Sequence, residues 1–356
     1  MGYVGRVAGI ARRLLGRLGG PAPVKRDAPY RRVGKGAGKP HRPILLNLET
    51  SDGSGQACHP DVVYIPGGFG SKRWPYWMVC TPYPYKDNRV ENPEVFVSYD
   101  GIFWTVPEGG RNPLVPMPKV AGDHNSDPDM VFHENHLWLY SRETQKSRAP
   151  GETPDRNIIY LLKSEDGVHW RPPVQVLEDS AGRGLLAPAV IHDGQCFQMW
   201  TVELEGGALK LVRRSSTDGV GWTARRTGRV IGLDAGRQPW HIDVIAERDR
   251  LSAALVSCTG LGGSGTRLHY AHSEDGGLTW ATQGSMLEQV YEFEANLQYR
   301  ASLRKVDDDT SEYELWYSAS SVTDVFSIAY VRLARVKNRL VPREPRSVIA
   351  EAVTAG

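Results

Sequence analysis

Three short phrases in this chain place a histidine or aspartate two residues before an aspartate: His59-Pro60-Asp61, Asp127-Pro128-Asp129 and His241-Ile242-Asp243. Ala187-Pro188-Ala189 repeats the frame without its acids, and Arg300 holds the matching place in a fifth segment. Each phrase runs into an apolar stretch, and in an extended strand residues i and i+2 share a side. Brought together, these positions form a polar ring able to do several kinds of chemistry. Crowded carboxylates raise one another's proton affinity, so Asp61, Asp127, Asp129 and Asp243 would supply a base or stabiliser, with Glu203 or Glu91 as the acid. Two imidazoles among aspartates also suit zinc or manganese, and an all-oxygen set suits calcium. A cofactor is not demanded by any of this, and a divalent cation within the ring is the open alternative. An aspartate at a strand start also serves simply to cap a turn.

The elements that would carry the ring are marked by a repeated phrase. It reads SYDGIFW from Ser98, SEDGVHW from Ser164, STDGVGW from Ser216 and SEDGGLTW from Ser273. Asp-Gly and Gly-Gly pairs suit tight hairpin turns, where glycine takes positive φ without a Cβ penalty. The closing residues Trp104, Trp170, Trp222 and Trp280 recur every 52 to 66 residues, the length of a four-stranded sheet with its loops. That period predicts a β-propeller. Upstream of each phrase lie a strand-like run and then an aromatic one, as in HPDVVYIP followed by YWMVCTPYP. A fifth unit, YRASLRKV, YELWYSAS and FSIAYVRLA, keeps the order but lacks the phrase. The expectation is an all-β, five-bladed β-propeller over residues 43–340, the ring gathering at one mouth of its central channel, and a tail over 341–356.

Residues 1–42 differ in kind. They hold eleven Lys or Arg and one acid, for a net +10 within a chain of +2, so a mildly acidic body follows a basic arm. Val4, Val7, Ala11, Leu14, Leu15 and Leu18 fall on one helical face with Arg6, Arg12, Arg13 and Arg17 around them. A basic N-terminal helix and an extended Gly/Pro-rich arm are expected; the helix could dock into a groove on a partner and so anchor the body in a larger assembly, lie on an anionic membrane, or touch nucleic acid. The arginines interrupt any signal-peptide core, and no apolar run reaches membrane-spanning length. Cys58, Cys80, Cys196 and Cys258 are too scattered for a CxxC site. No phosphate-cradling glycine loop precedes a helix, so nothing points to a specific nucleic acid.

With its repeats and strand starts, residues 44 to 335 resemble the five-bladed propellers of the glycoside hydrolase superfamily that includes arabinanases, xylosidases and fructosidases. The resemblance implies a base in the first strand of blade one, a helper in blade two and an acid before the Ala-Pro of blade three. Those places fall on His59, on Asp129 or Asp127, and on Leu186. A nearer likeness is to propellers encoded in bacteriophage and prophage genomes, carried by His59-Pro60, Tyr76-Trp77-Met78, Thr81-Pro82-Tyr83-Pro84, Glu91-Asn92-Pro93 and Asn125-Ser126-Asp127. It implies a virion- or tail-associated, or extracellular, protein that meets bacterial surface polysaccharide. Sugar contacts are expected from His59, Trp77, Tyr83, Glu91, Asn92, Arg142, Trp240, His241 and Arg300, in a hydrolase or in a non-catalytic binding module. Sialidases share the SEDGGLTW form but need three channel arginines, and Arg300 alone is well placed.

Overall fold

The computed structural model describes residues 42–148 and 154–343. They form five sheets, blades I to V, antiparallel apart from the parallel pairing of Arg229–Ile231 with Thr279–Thr282 in blade IV, and their first strands are Ala57–Phe69, His124–His133, Leu186–His192, Arg237–Ala246 and Leu297–Lys305. Each first strand packs against those of the blades before and after it, so the five close a ring around a channel. Blade V is completed by the other end of the chain: Ile44–Leu45 pairs with Phe326–Val336. The last strand among the described residues, Arg339–Pro342, also pairs with Phe326–Val336, so the propeller extends beyond the expected limit at 340. The anticipated helix and most of the arm lie outside the described residues. Among the described residues no helix is long and apolar enough to cross a membrane.

The repeated Asp-Gly phrase is the hairpin at the outer end of the third strand. In blade II, Ser164 Oγ accepts the Gly167 N–H at 2.8 Å, and Asp166 Oδ1 accepts the N–H groups of Val168 and His169 at 2.8 Å each. The glycine has a second task that the turn alone does not reveal. Trp316 Nε1 of blade V donates to Gly101 O of blade I at 2.7 Å, Tyr140 of blade II to Gly219 O of blade III at 3.0 Å, and Trp200 of blade III to Gly277 O of blade IV at 2.8 Å. A Cβ on Gly167 of blade II would lie 2.0 Å from the Trp77 ring of blade I. Trp77 is therefore an inter-blade packing residue and not a sugar contact. Blade IV carries Ala254 at the corresponding register, opposite Asp243, and the blade it faces is the one without the phrase.

A second device fastens the blades near the axis. Asp61 Oδ2 accepts Met130 N of blade II at 2.6 Å, Asp129 Oδ2 accepts Val190 N of blade III at 2.8 Å, and Asp243 Oδ2 accepts Leu303 N of blade V at 2.6 Å. Ser302 Oγ takes the same place in blade V and accepts Val62 N of blade I at 2.9 Å. Blade III offers Ala189 there, so its contact with blade IV lacks the pin. Asp61, Asp129 and Asp243, expected as catalytic groups, are thus engaged as staples around the channel.

Candidate active site

Two residues before each staple, the first strands bulge. Register shifts fall between Cys58 and Asp61, between Ser126 and Asp129, and between Pro239 and His241. His59, Asp127 and Ala187 all adopt positive φ, 53°, 49° and 48°, immediately before a proline. Such left-handed backbone is costly for non-glycine residues and persists where surroundings enforce it, commonly at functional sites. Here it turns a side chain out of the pleat to the mouth of the channel.

Asp127 is the centre of what gathers there. Its Oδ2 accepts Arg142 Nε at 2.8 Å and Ala187 N at 3.3 Å. Its Oδ1 is left facing two imidazoles, with His59 Nε2 at 3.1 Å and His241 Nε2 at 3.5 Å. Burial opposes ionisation of Asp127, yet the Arg142 guanidinium beside it holds its carboxyl well below the usual range. Burial keeps both imidazoles neutral by pulling their pKa values down, against the opposing charge of Asp127. His241 Nδ1 lies 2.9 Å from Tyr299 O, a group that only accepts, so Nδ1 carries the proton and Nε2 presents its lone pair. His59 Nδ1 is 3.0 Å from Glu91 Oε1 and 3.1 Å from Thr81 Oγ1.

This leaves an imbalance. His59 Nε2 is buried without a hydrogen-bond partner, and the His241 lone pair points at an anion. A divalent cation resolves it: the three donor atoms lie within 4.8 Å of one another. A tetrahedral site with bonds of about 2.0–2.1 Å has donor–donor edges of about 3.3 Å, between the two observed separations. Two imidazoles and a carboxylate fit zinc, manganese or iron better than calcium. Glu91 on His59 supplies the outer carboxylate that commonly orients a ligating histidine.

The donors lie in the wall of a cleft of about 450 Å³ lined also by Tyr83, Glu91, His124, Arg142, Asn157, Leu186, Trp240 and Tyr299. Glu91 is buried; desolvation, reinforced by Asp127, pushes its carboxyl well above the ordinary value. Burial likewise raises the Tyr83 and Tyr299 phenols, keeping them protonated as hydrogen-bond donors. Arg142 is braced by Thr144 Oγ1 at 2.6 Å and Asn157 Oδ1 at 3.0 Å.

Of the residues expected from sequence, His59, Tyr83, Glu91, Asp127, Arg142, Trp240 and His241 line this cleft. Asn92 stands behind it, accepting Asn125 Nδ2 at 2.8 Å and so tying the Glu91 segment to blade II. Arg300 points down the channel, with Nη2 3.3 Å from Asp129 Oδ1 and 3.1 Å from Pro188 O. Glu203, expected as an acid, is buried elsewhere in blade III against Arg214 Nη1 at 2.6 Å and Arg225 Nε at 3.1 Å. His124, Asn157 and Tyr299 were not anticipated. His124 sits three residues before Asp127 on the same strand, a spacing that in a regular strand sends the two to opposite sides, and only the bulge between Ser126 and Asp129 brings them together; Tyr299 had only its adjacency to Arg300.

No family model matches the chain. It is 30% identical over 277 residues to the A type blood N-acetyl-alpha-D-galactosamine deacetylase of Flavonifractor plautii, covering 65% of this chain and 35% of that protein. An uncharacterized Mycobacterium tuberculosis protein is 31% identical over 100 residues, 27% of this chain and 32% of its own. The chain thus spans about a third of the length of the curated relatives it matches. Among solved structures, an N-acetylgalactosamine deacetylase from F. plautii in complex with blood group B trisaccharide superposes with a TM-score of 0.73 at 23% identity, over 83% of this chain and 96% of that one. A thermostable family-43 glycoside hydrolase gives 0.58 at 14%, over 82% and 93%. A xylan beta-1,4-xylosidase from Bacillus halodurans gives 0.61 at 12%, over 85% and 56%. The chain is a five-bladed propeller resembling these glycoside-hydrolase-type folds.

Proposed function

We propose that this propeller is a metal-assisted hydrolase of acylamino groups on carbohydrate, cutting the amide and leaving the glycosidic bond intact. The observation that carries the reading is the His59–Asp127–His241 donor set at the cleft, with its unpartnered imidazole nitrogen. Support comes from the F. plautii relative, whose name describes a deacetylase. Glycosidic cleavage asks for a protonated acid across the sugar from a second carboxylate. Here the acid place is Leu186, and Asp61, Asp129 and Asp243 are occupied below the cleft.

His59, Asp127 and His241 would hold the cation, which when bound polarises an acyl carbonyl and lowers the pKa of water. Arg142 keeps Asp127 anionic. Glu91 accepts a proton from the attacking water at Oε and returns it to the departing amide nitrogen, so water and amide become carboxylate and amine. The Tyr83 and Tyr299 hydroxyls donate to oxygens of the bound sugar or acyl group. The test is to incubate the metal-loaded protein with N-acetylated bacterial and host glycans while measuring free amine, acetate and reducing sugar together. Amine and acetate without new reducing ends is the expected result; new reducing ends without amine would establish a glycosidase instead.

The same proposal sets the body on a tether. The basic charge of residues 1–42 and the phage-like motifs of blade I support a virion or tail as the anchoring assembly and a bacterial surface glycan as the target. Loss of incorporation on deleting residues 1–42, with a folded propeller remaining, is the expected outcome; retained incorporation would refute the tether.

A further inference from the structure

The cleft has two unlike walls. Blade II contributes Arg142, Thr144, Lys146 and Asn157, whereas blades III and IV contribute Leu186, Leu204, Leu209, Trp240 and Leu261. The apolar wall is a built unit. Leu204 and Leu209 pair across the blade III hairpin. Leu209 N donates to Gln238 Oε1 at 2.7 Å, and Gln238 Nε2 donates to Gly260 O at 2.7 Å, locking the hairpin to the loop that bears Leu261. That loop packs so closely on Trp240 that a Cβ on Gly263 would lie 2.5 Å from the indole, and His241 meets the same ring edge-on at 5.6 Å. Trp240 is thereby covered and does not offer a free face for stacking on a sugar. What these leucines offer the cleft is aliphatic: Leu209 is buried, Leu186 and Leu204 are half-buried, and Leu261 is 52% exposed. The wall starts beside the donor set, since Leu186 precedes Ala187, whose N–H is bound by Asp127, and ends in solvent.

An acetyl methyl needs only the inner end of such a strip. We propose that the strip is an acyl subsite, and that the substrates are sugars bearing linear N-acyl groups longer than acetyl, such as propionyl or butyryl. This rests on the deacylase reading above, with the acyl carbonyl at the donor set, the chain along the leucines and the sugar hydroxyls toward blade II. Each methylene removed from water favours the longer substrate by about threefold to fourfold.

The experiment measures kcat/KM by amine release from N-acetyl-, N-propionyl- and N-butyrylhexosamine with the metal-loaded protein. The expected butyryl-to-acetyl ratio is above one, and Leu204→Asp and Leu261→Asp should each lower it about tenfold. Circular dichroism confirms that both variants fold; Leu261 lies in an exposed loop, so its variant guards against misfolding of the other. Calorimetry on Glu91→Gln should show tighter binding of the N-butyryl than of the N-acetyl sugar. A wild-type ratio below one, or a ratio unmoved in both variants, overturns the subsite while amine release from N-acetylhexosamine upholds the deacylase reading. Absence of amine from all three sugars overturns both.

Discussion

His59 and Asp61 lie two residues apart on one strand, yet they do different work, and the difference is depth along the channel. Asp61 spends both oxygens on Met130 N and Ser302 Oγ, while His59 turns an unpartnered nitrogen toward the cleft. Removing a donor should therefore cost metal. His241→Ala and Asp127→Asn are expected to lose bound zinc or manganese at least tenfold, read by elemental analysis after dialysis. Glu91→Gln also removes the carboxylate on His59 Nδ1 and should weaken the metal by about 10- to 100-fold; at saturating metal it should still lose about 10²- to 10⁴-fold in kcat. The sequence exposed the ring because its members share a frame across blades. It could not separate the two tiers, since a period of two sends both to the same side of the strand and says nothing of which one meets solvent.

At the scale of elements, the phrase that revealed the fold also binds neighbouring blades. Its serine and aspartate close the hairpin locally, which is why it is legible as a turn. Its glycine accommodates an aromatic from another blade, a contact between Gly167 and Trp77, 90 positions apart in sequence, that no local pattern encodes. Gly167→Ala meets the Trp77 ring at 2.0 Å and should destabilise the protein by about 3 kcal/mol or more, as overpacking against a buried ring with strained φ. Gly276→Ala is the control: φ is +71° there too, but the nearest atom is 4.0 Å away, so only the backbone cost of about 1 kcal/mol applies. Equal losses of Tm in the two variants would mean that the clamp contributes nothing beyond the turn. The pairing of absences supports the clamp, since Ala254 stands where blade IV would need an aromatic and blade V presents no phrase for it to hold.

For the whole molecule, the question is what keeps a ring of five sheets shut. Strand order and closure by Ile44–Leu45 fasten the outer edge of blade V; near the axis the work falls to Asp61, Asp129 and Asp243, whose carboxyl oxygens lie within 4.8 Å of one another. Three carboxylates with Arg300 beside them cannot all be ionised cheaply. Burial, then the charge of Asp61, pushes Asp243 up to about 8, and burial raises Asp61 and Asp129 as well. In the unfolded chain these groups titrate near 3.8, so between about pH 4 and 8 the folded state holds protons that the unfolded state has released. Stability from this cluster is therefore fully present below about pH 4 and is lost as pH rises through 8. Asp243→Asn keeps an oxygen for Leu303 N and removes the titration. Thermal melts of the two proteins from pH 5 to 9 should show the variant gaining on the wild type by several degrees as pH rises. Parallel curves would show that the three aspartates share no proton, and that the charge at the axis is neutralised by something other than protonation.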